Sequence, residues 1–270
     1  MEMNGGIIVT GATGGMGSAA VEALARQGVP VLMACRNLQK AETVRADILS
    51  RVPGARLQLG LLDLSSMASV RAFAEHIEPG AVSALFNNAG VISKGFHLTE
   101  DGLENTFSVN YFGPWLLTQL LLPKLPQDAR IVNMVSLTCR FVSIDEAALR
   151  PAPGDFSQLG TYARAKRALV SFSMELARRY PSLQVNLADP GIVASDMIDL
   201  GHWFDPLADV LFKPLCKSPQ AGVQPAIRAL LEGNRNRYYV GKQRKAIPAR
   251  YIDPALDQRI WEETRKRIQQ

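Results

Sequence analysis

Residues 162–166 read Tyr-Ala-Arg-Ala-Lys and open a stretch, ALVSFSMELARRY, of strong helical character. Positions i and i+4 of a helix lie one above the other on the same face, so the Tyr162 phenol and the Lys166 ammonium are held side by side. A cation that close favours phenolate and lowers the tyrosine pKa, at about 1.4 kcal/mol per unit. A tyrosine tuned in this way donates or accepts a proton near neutral pH, which a free phenol does poorly. Ser136 stands upstream of the pair. Alone, the Tyr-x-x-x-Lys spacing arises by chance in many helices and is then only a polar face. Its weight comes from the elements that must position it.

The first of these is an anion site. Residues 7–10 (IIVT) are a short apolar run with β-branched side chains, as in a buried parallel strand. They lead into Thr10-Gly11-Ala12-Thr13-Gly14-Gly15-Met16-Gly17 and then into SAAVEALARQG, an amphipathic helix pattern stopped by Gly28. Strand, glycine turn and helix N-terminus together receive a pyrophosphate: glycines let the backbone approach it, and the helix dipole favours its charge. The spacing is Gly-x3-Gly-x-Gly, not the commoner Gly-x-Gly-x-x-Gly.

With Asn87-Asn88-Ala89-Gly90, Asn110, Ser136 and Pro190-Gly191 following in order, the chain resembles the short-chain dehydrogenase/reductase family from Gly6 to about Gly241. The resemblance implies a Rossmann fold. It assigns Ser136, Tyr162, Lys166 and Asn110 to catalysis and proton relay. It also implies cofactor contacts at Gly11, Thr13, Gly15, Met16, Gly17, Arg36, Asn37, Asp63, Leu64, Asn88, Ala89, Gly90, Tyr162, Lys166, Pro190, Gly191, Val193 and Ser195. Asp63 is matched to an adenine contact, and it also suits a cap for the next helix, since DLSS is a good N-terminus signal. Ser136 and Tyr162 are separated by 25 residues (137 to 161), about twice the usual family interval. That insert, with Cys35-Arg36, resembles the retinol dehydrogenase-like and protochlorophyllide reductase-like branch.

Apolar runs at 7–10, 30–34, 57–62, 82–86, 131–135, 184–188 and 238–240 alternate with helical segments. They predict an α/β fold: one doubly wound parallel sheet of seven strands, helices on both faces, and a single domain over 1–270. Cofactor preference reads from VLMACRNLQK. An NAD site wants a carboxylate at the end of the second strand, where Ala34 and Cys35 stand. Arg36 follows and suits a 2′-phosphate, so NADP (NADPH) is expected over NAD.

The net charge of +5 is mild, and its clustered basic residues in the last third carry no nucleic-acid motif. Three cysteines and three scattered histidines share no metal-ligand spacing, so no metal is expected. Only MEMNGG precedes the first strand and no apolar run is long enough to span a membrane, so the expected compartment is cytoplasmic. Segment 194–217 is rich in large apolar residues, Met197, Ile198, Trp203, Phe204, Leu207, Val210, Leu211 and Phe212 among them. It reads as a lid, with the insert at about 140–160, over a hydrophobic small-molecule substrate such as a ketone, aldehyde or alcohol of steroid or retinoid type. Ordinary core packing, or a dimer or membrane-surface contact by an amphipathic helix, are the alternatives for 194–217. A homodimer or homotetramer formed through the helices of Asn110 and Tyr162 fits the family pattern. The alternatives are a non-catalytic nucleotide-sensing protein, or epimerase or dehydratase chemistry on the same fold.

Overall fold

The computed structural model describes residues 5–193 and 217–268. Short apolar runs become the strands β1 (Gly6–Thr10), β2 (Val31–Cys35), β3 (Leu57–Leu61), β4 (Val82–Asn87), β5 (Arg130–Met134), β6 (Gln184–Asp189) and β7 (Arg237–Val240). An eighth strand, β8 (Gln243–Ala246), was not expected. It is fully exposed and reads QRKA, so it carries no apolar signal. A hairpin forms it: Gly241, at φ +53°, turns the chain back and β8 pairs antiparallel with β7. Its charges suit an exposed sheet edge.

The sheet order is β3-β2-β1-β4-β5-β6-β7-β8, parallel through β7. β1 pairs with both β2 and β4, so the chain reverses its winding there and opens a crevice at the carboxyl ends of the strands. One face is covered by α1 (Gly15–Arg26), α2 (Leu38–Arg51) and α7 (Pro219–Leu231), through residues such as Val21, Leu24, Ile48 and Leu230. The other carries α3 (Met67–Glu75), α4 (Asn105–Phe107), α5 (Gly113–Leu121), α6 (Gln158–Arg179) and α8 (Pro254–Ile268).

Helix α8 lies over α5 and α6. Trp261 stacks on Phe172 at 5.7 Å and meets Trp115 edge-on at 5.6 Å, while the Tyr111 and Thr264 hydroxyls bond at 2.6 Å. Arg178 of α6 pairs with buried Asp257 at 2.6 Å. The outer face of α5 and α6, where self-association was expected, is thus occupied by the chain's own C-terminal helix. The long insert after Ser136 is irregular, as its prolines and glycine predict, with short 3₁₀ turns at Leu137–Phe141, Glu146–Leu149 and Pro153–Asp155. Its middle is anchored to α8: Leu149 is buried, Glu146 pairs with Arg259 at 2.5 Å, and Arg150 pairs with Glu263.

Candidate active site

The glycine turn is shaped as an anion cradle. Gly11 has φ +63°, and a methyl group there would stand 2.9 Å from Ala89 Cα, so the turn and the end of β4 touch backbone to backbone. A methyl at Gly17 would stand 2.1 Å from Gly11 O, so α1 can begin this tightly only with glycine. No side chain caps α1, and its first turn holds no acidic residue. Its N-terminal N–H groups and dipole are left for a ligand's negative charge. Thr13 and Met16 border this turn. Thr10 Oγ1 accepts the N–H groups of Asn88 and Ala89, both at 3.0 Å, and Asn88 Nδ2 donates to Thr10 O at 2.9 Å. The Asn88 amide oxygen is buried with no partner among the described residues.

At the end of β2, Cys35 is buried and its thiol is pushed up to about 11 by desolvation, so it is neutral at physiological pH. Arg36 is exposed beside it, and Asn37 caps α2 by accepting from Lys40 N at 2.8 Å. After β3, Asp63 folds onto its own loop: its carboxylate accepts from Ser65 N at 2.8 Å and Ser65 Oγ at 2.6 Å. Helix α3 is capped by Ser66, which accepts from Ser69 N at 3.2 Å, so the capping role that DLSS suggested for Asp63 falls to Ser66. Leu64 O sits against the start of α5, where a methyl at Gly113 would stand 2.5 Å from it.

Four chemistry-bearing side chains meet where β4 and β5 end. Ser136 leaves β5, and its Oγ accepts two hydrogen bonds, from Thr138 N at 3.2 Å and Thr138 Oγ1 at 2.9 Å. With both lone pairs taken, its own proton is free to be donated. Tyr162, near the start of α6, is buried, and so is Lys166 one turn on. Lys166 Nζ donates to Met134 O at 3.0 Å and stands 5.8 Å from the Tyr162 ring centroid. Burial pushes the Tyr162 phenol above its usual range, and the charges of Cys139 and Asp189 add to this, while the Ser136 hydroxyl works against it. The expected lowering by Lys166 is therefore absent in the free protein. Desolvation is the larger effect, and it also draws the ammonium down to about 8.

Asn110 lies in a π-helical turn, Ser108–Phe112, between α4 and α5, where Gly113 N reaches back five residues to Ser108 O. The widened turn lets Asn110 Nδ2 donate to Thr106 O at 2.7 Å and to Val91 O at 2.8 Å. Its Oδ1 is buried, with no partner among the described residues. A methyl at Gly90 would stand 2.8 Å from that oxygen and 3.5 Å from Lys166 Nζ. Gly90, Asn110 and Lys166 thus converge.

After β6, Pro190 and Gly191 turn with Gly191 at φ +74°, and Val193 packs on α7, where a methyl at Gly222 would stand 2.5 Å from it and 3.5 Å from Met16 Sδ. Ser195 and most of the expected 194–217 lid lie outside the described residues. Three residues were missed by sequence reasoning: Thr138, which holds Ser136; Lys217, whose Nζ donates to Pro190 O at 3.1 Å; and Asp189, buried at the end of β6. Only Asp189 left a usable signal, a charge closing the strand run QVNLAD just before Pro190-Gly191.

The family profile of the short chain dehydrogenases matches residues 6–200. Retinol dehydrogenase 13 of Mus musculus is 34% identical over 281 residues, covering 97% of this chain and 83% of its own length. The crystal structure of an uncharacterised protein from Mycobacterium paratuberculosis matches with a TM-score of 0.77 at 26% identity, over 97% of this chain and 92% of the other. The short-chain dehydrogenase from Sphingobium yanoikuyae, in complex with NADPH, matches with a TM-score of 0.69 at 20% identity, over 94% and 92%. The chain belongs to the short-chain dehydrogenase family. Within it, the chain stands in the retinol dehydrogenase-like branch, and it is an oxidoreductase that uses a nicotinamide dinucleotide.

Proposed function

We propose that this enzyme interconverts a hydrophobic carbonyl compound and its alcohol with NADP(H). The observation that carries the reading is the meeting of Ser136, Tyr162, Lys166 and Asn110 beside a glycine cradle free of side-chain caps. The residues fit a dinucleotide: the α1 N-terminus suits a pyrophosphate, and the unpartnered Asn88 oxygen accepts a donor from the ligand. When bound, the nicotinamide supplies or takes up the hydride.

The chain's own residues do the rest. In the reductive direction Tyr162 gives its proton to the carbonyl oxygen. Ser136, whose lone pairs are filled by Thr138, donates to the same oxygen and stabilises its growing charge. Lys166 has donors left over from Met134 O to hold ribose hydroxyls, and its cation favours the phenolate that Tyr162 becomes. The free Asn110 Oδ1 holds a water that links Lys166 to solvent.

Preference for NADP(H) over NAD(H) rests on the end of β2. A neutral Cys35 thiol stands where an NAD site wants a carboxylate, and exposed Arg36 is placed for a phosphate. Large apolar side chains exposed next to the site residues, Phe141, Leu159 and Ile192, support a hydrophobic substrate. The relative named retinol dehydrogenase 13 agrees with that class. The free, buried thiols of Cys35 and Cys139 support a reducing, cytoplasmic setting. Self-association, if used, takes a surface other than the α5–α6 face that α8 covers.

Steady-state reduction of retinal, steroid ketones and aliphatic aldehydes, followed by NADPH absorbance, tests the proposal. Tyr162→Phe should lose on the order of 10²–10⁴ in kcat with NADPH binding retained. Near-normal turnover in that variant defeats the assignment, and NADPH binding without turnover of any carbonyl favours a nucleotide-sensing role.

A further inference from the structure

Asp189 ends β6 as a fully buried carboxylate. Burying a charge is costly unless it is paired and hydrogen-bonded, so its partners show what it is for. They come from three separate segments. Oδ1 accepts the N–H of Gly191 at 2.8 Å, closing the turn that follows the strand. Oδ2 accepts the Tyr238 hydroxyl of β7. The Arg140 guanidinium stands 3.8 Å from the same oxygen, and Arg140 belongs to the turn Leu137–Phe141 that Ser136 caps. On the other flank Lys217 holds the same segment, through its Nζ to Pro190 O at 3.1 Å and its N–H to Ile192 O at 3.0 Å.

We infer that Asp189 is a positioning residue: its carboxylate sets the spacing between the Pro190–Gly191 turn, on the nicotinamide side of the site, and the Ser136 turn, on the side of the substrate oxygen. The inference rests on the role proposed above for Ser136 and on the cofactor contacts that the family resemblance implies at Pro190 and Gly191, which follow β6 beside the β5 strand that leads to Ser136. No proton passes through Asp189. Two substitutions separate its ties. Asparagine keeps an acceptor for Gly191 but gives Arg140 no charge and puts an N–H donor where the Tyr238 hydroxyl had an acceptor, whereas alanine removes all three ties.

Hydrogen–deuterium exchange of the ligand-free 270-residue chain reads the ties directly, beside the binding of NADPH and of 2′-phospho-ADP-ribose, which lacks the nicotinamide. In Asp189→Ala the 190–193 peptide should exchange at least about tenfold faster, the loss expected for one charge-assisted hydrogen bond. NADPH should then bind about tenfold more weakly while 2′-phospho-ADP-ribose binds as to the unaltered chain, since a tenfold change is all that one such bond supplies. In Asp189→Asn the 190–193 peptide should keep its protection while the 137–141 turn and the residues around Tyr238 loosen, with kcat lowered and NADPH affinity kept, and this variant carries the test if the alanine form does not fold. Unchanged exchange in both segments overturns the inference. So does a general loosening of β6 and β7 with both ligands weakened alike, which is the mark of a merely structural role. Failure of the unaltered chain to bind NADPH or NADH would overturn the site roles themselves, whatever the exchange shows.

Discussion

Adding one methyl group at Gly90 tests the convergence at the heart of the site. In Gly90→Ala the new carbon would stand 2.8 Å from Asn110 Oδ1, about half an ångström inside ordinary contact. Asn110 has little freedom to retreat, because its Nδ2 is fixed by the carbonyls of Thr106 and Val91 at 2.7 and 2.8 Å. Lys166 Nζ, at 3.5 Å from the same methyl, needs no movement. Gly90 is not among the glycines with positive φ, so the backbone accepts alanine and the strain falls on the Asn110 amide. Overpacking of this kind costs about 1–3 kcal/mol of stability. Since a misplacement of about 1 Å costs on the order of a hundredfold in rate, half that shift predicts roughly a tenfold loss in kcat. Stopped-flow turnover, with the NADPH dissociation constant from fluorescence, separates the two effects. A kcat within twofold of the unaltered enzyme, at any stability, would refute the claim that Asn110 is held in one place for the reaction.

Other perturbations reach separate parts of the argument. Arg36→Glu should raise the KM for NADPH at least about tenfold and improve NADH, because a carboxylate repels a 2′-phosphate and accepts ribose hydroxyls; a smaller change in that ratio removes Arg36 from cofactor choice. Lys166→Met should abolish turnover yet stabilise the fold at pH 7. The buried ammonium titrates at about 8 rather than at 10.5, a penalty on the order of 3 kcal/mol. Between these pH values the unfolded chain binds more protons, so the stability of the unaltered protein should rise with pH across that window, and a flat or falling urea midpoint there would contradict it. Trp261→Ala should cost about 3–5 kcal/mol and uncover Trp115 and Phe172, so that size-exclusion chromatography shows self-association; a stable monomer would mean that α8 does not guard that face.

The sheet was legible because its seven parallel strands are apolar runs, a signal that burial on both faces forces on the sequence. The glycine turn and the order Asn88, Asn110, Ser136, Tyr162, Lys166 were legible for a related reason: close backbone approach and proton chemistry each call for particular residue types. β8 was not, since an exposed edge strand such as QRKA needs no apolar pattern. The covering of α5 and α6 by α8 was hidden too. Amphipathicity announces that Trp261 and Ile260 must be buried without saying against what.

The tuning of Tyr162 shows where spacing stops being sufficient. An i, i+4 pair fixes neighbours, but the sign of a pKa shift depends on how much water is left around them, and Tyr162 and Lys166 are both buried. A desolvated phenol beside a weakened ammonium makes a site that carries a strained cation and no phenolate at rest. The unpartnered oxygens of Asn88 and Asn110 lie at the same crevice. Asn87 beside them is matched in part: its Nδ2 donates to Asn133 Oδ1 at 2.8 Å and Asn133 Nδ2 to Ser173 Oγ at 2.7 Å, while Asn87 Oδ1 has no partner among the described residues. Unmatched groups at a ligand crevice are costly for folding alone, and ligand atoms that satisfy them recover that cost only on binding. On this argument a nicotinamide dinucleotide should raise the melting temperature by more than its phosphate contacts supply, and 2′-phospho-ADP-ribose at equal free concentration should raise it less.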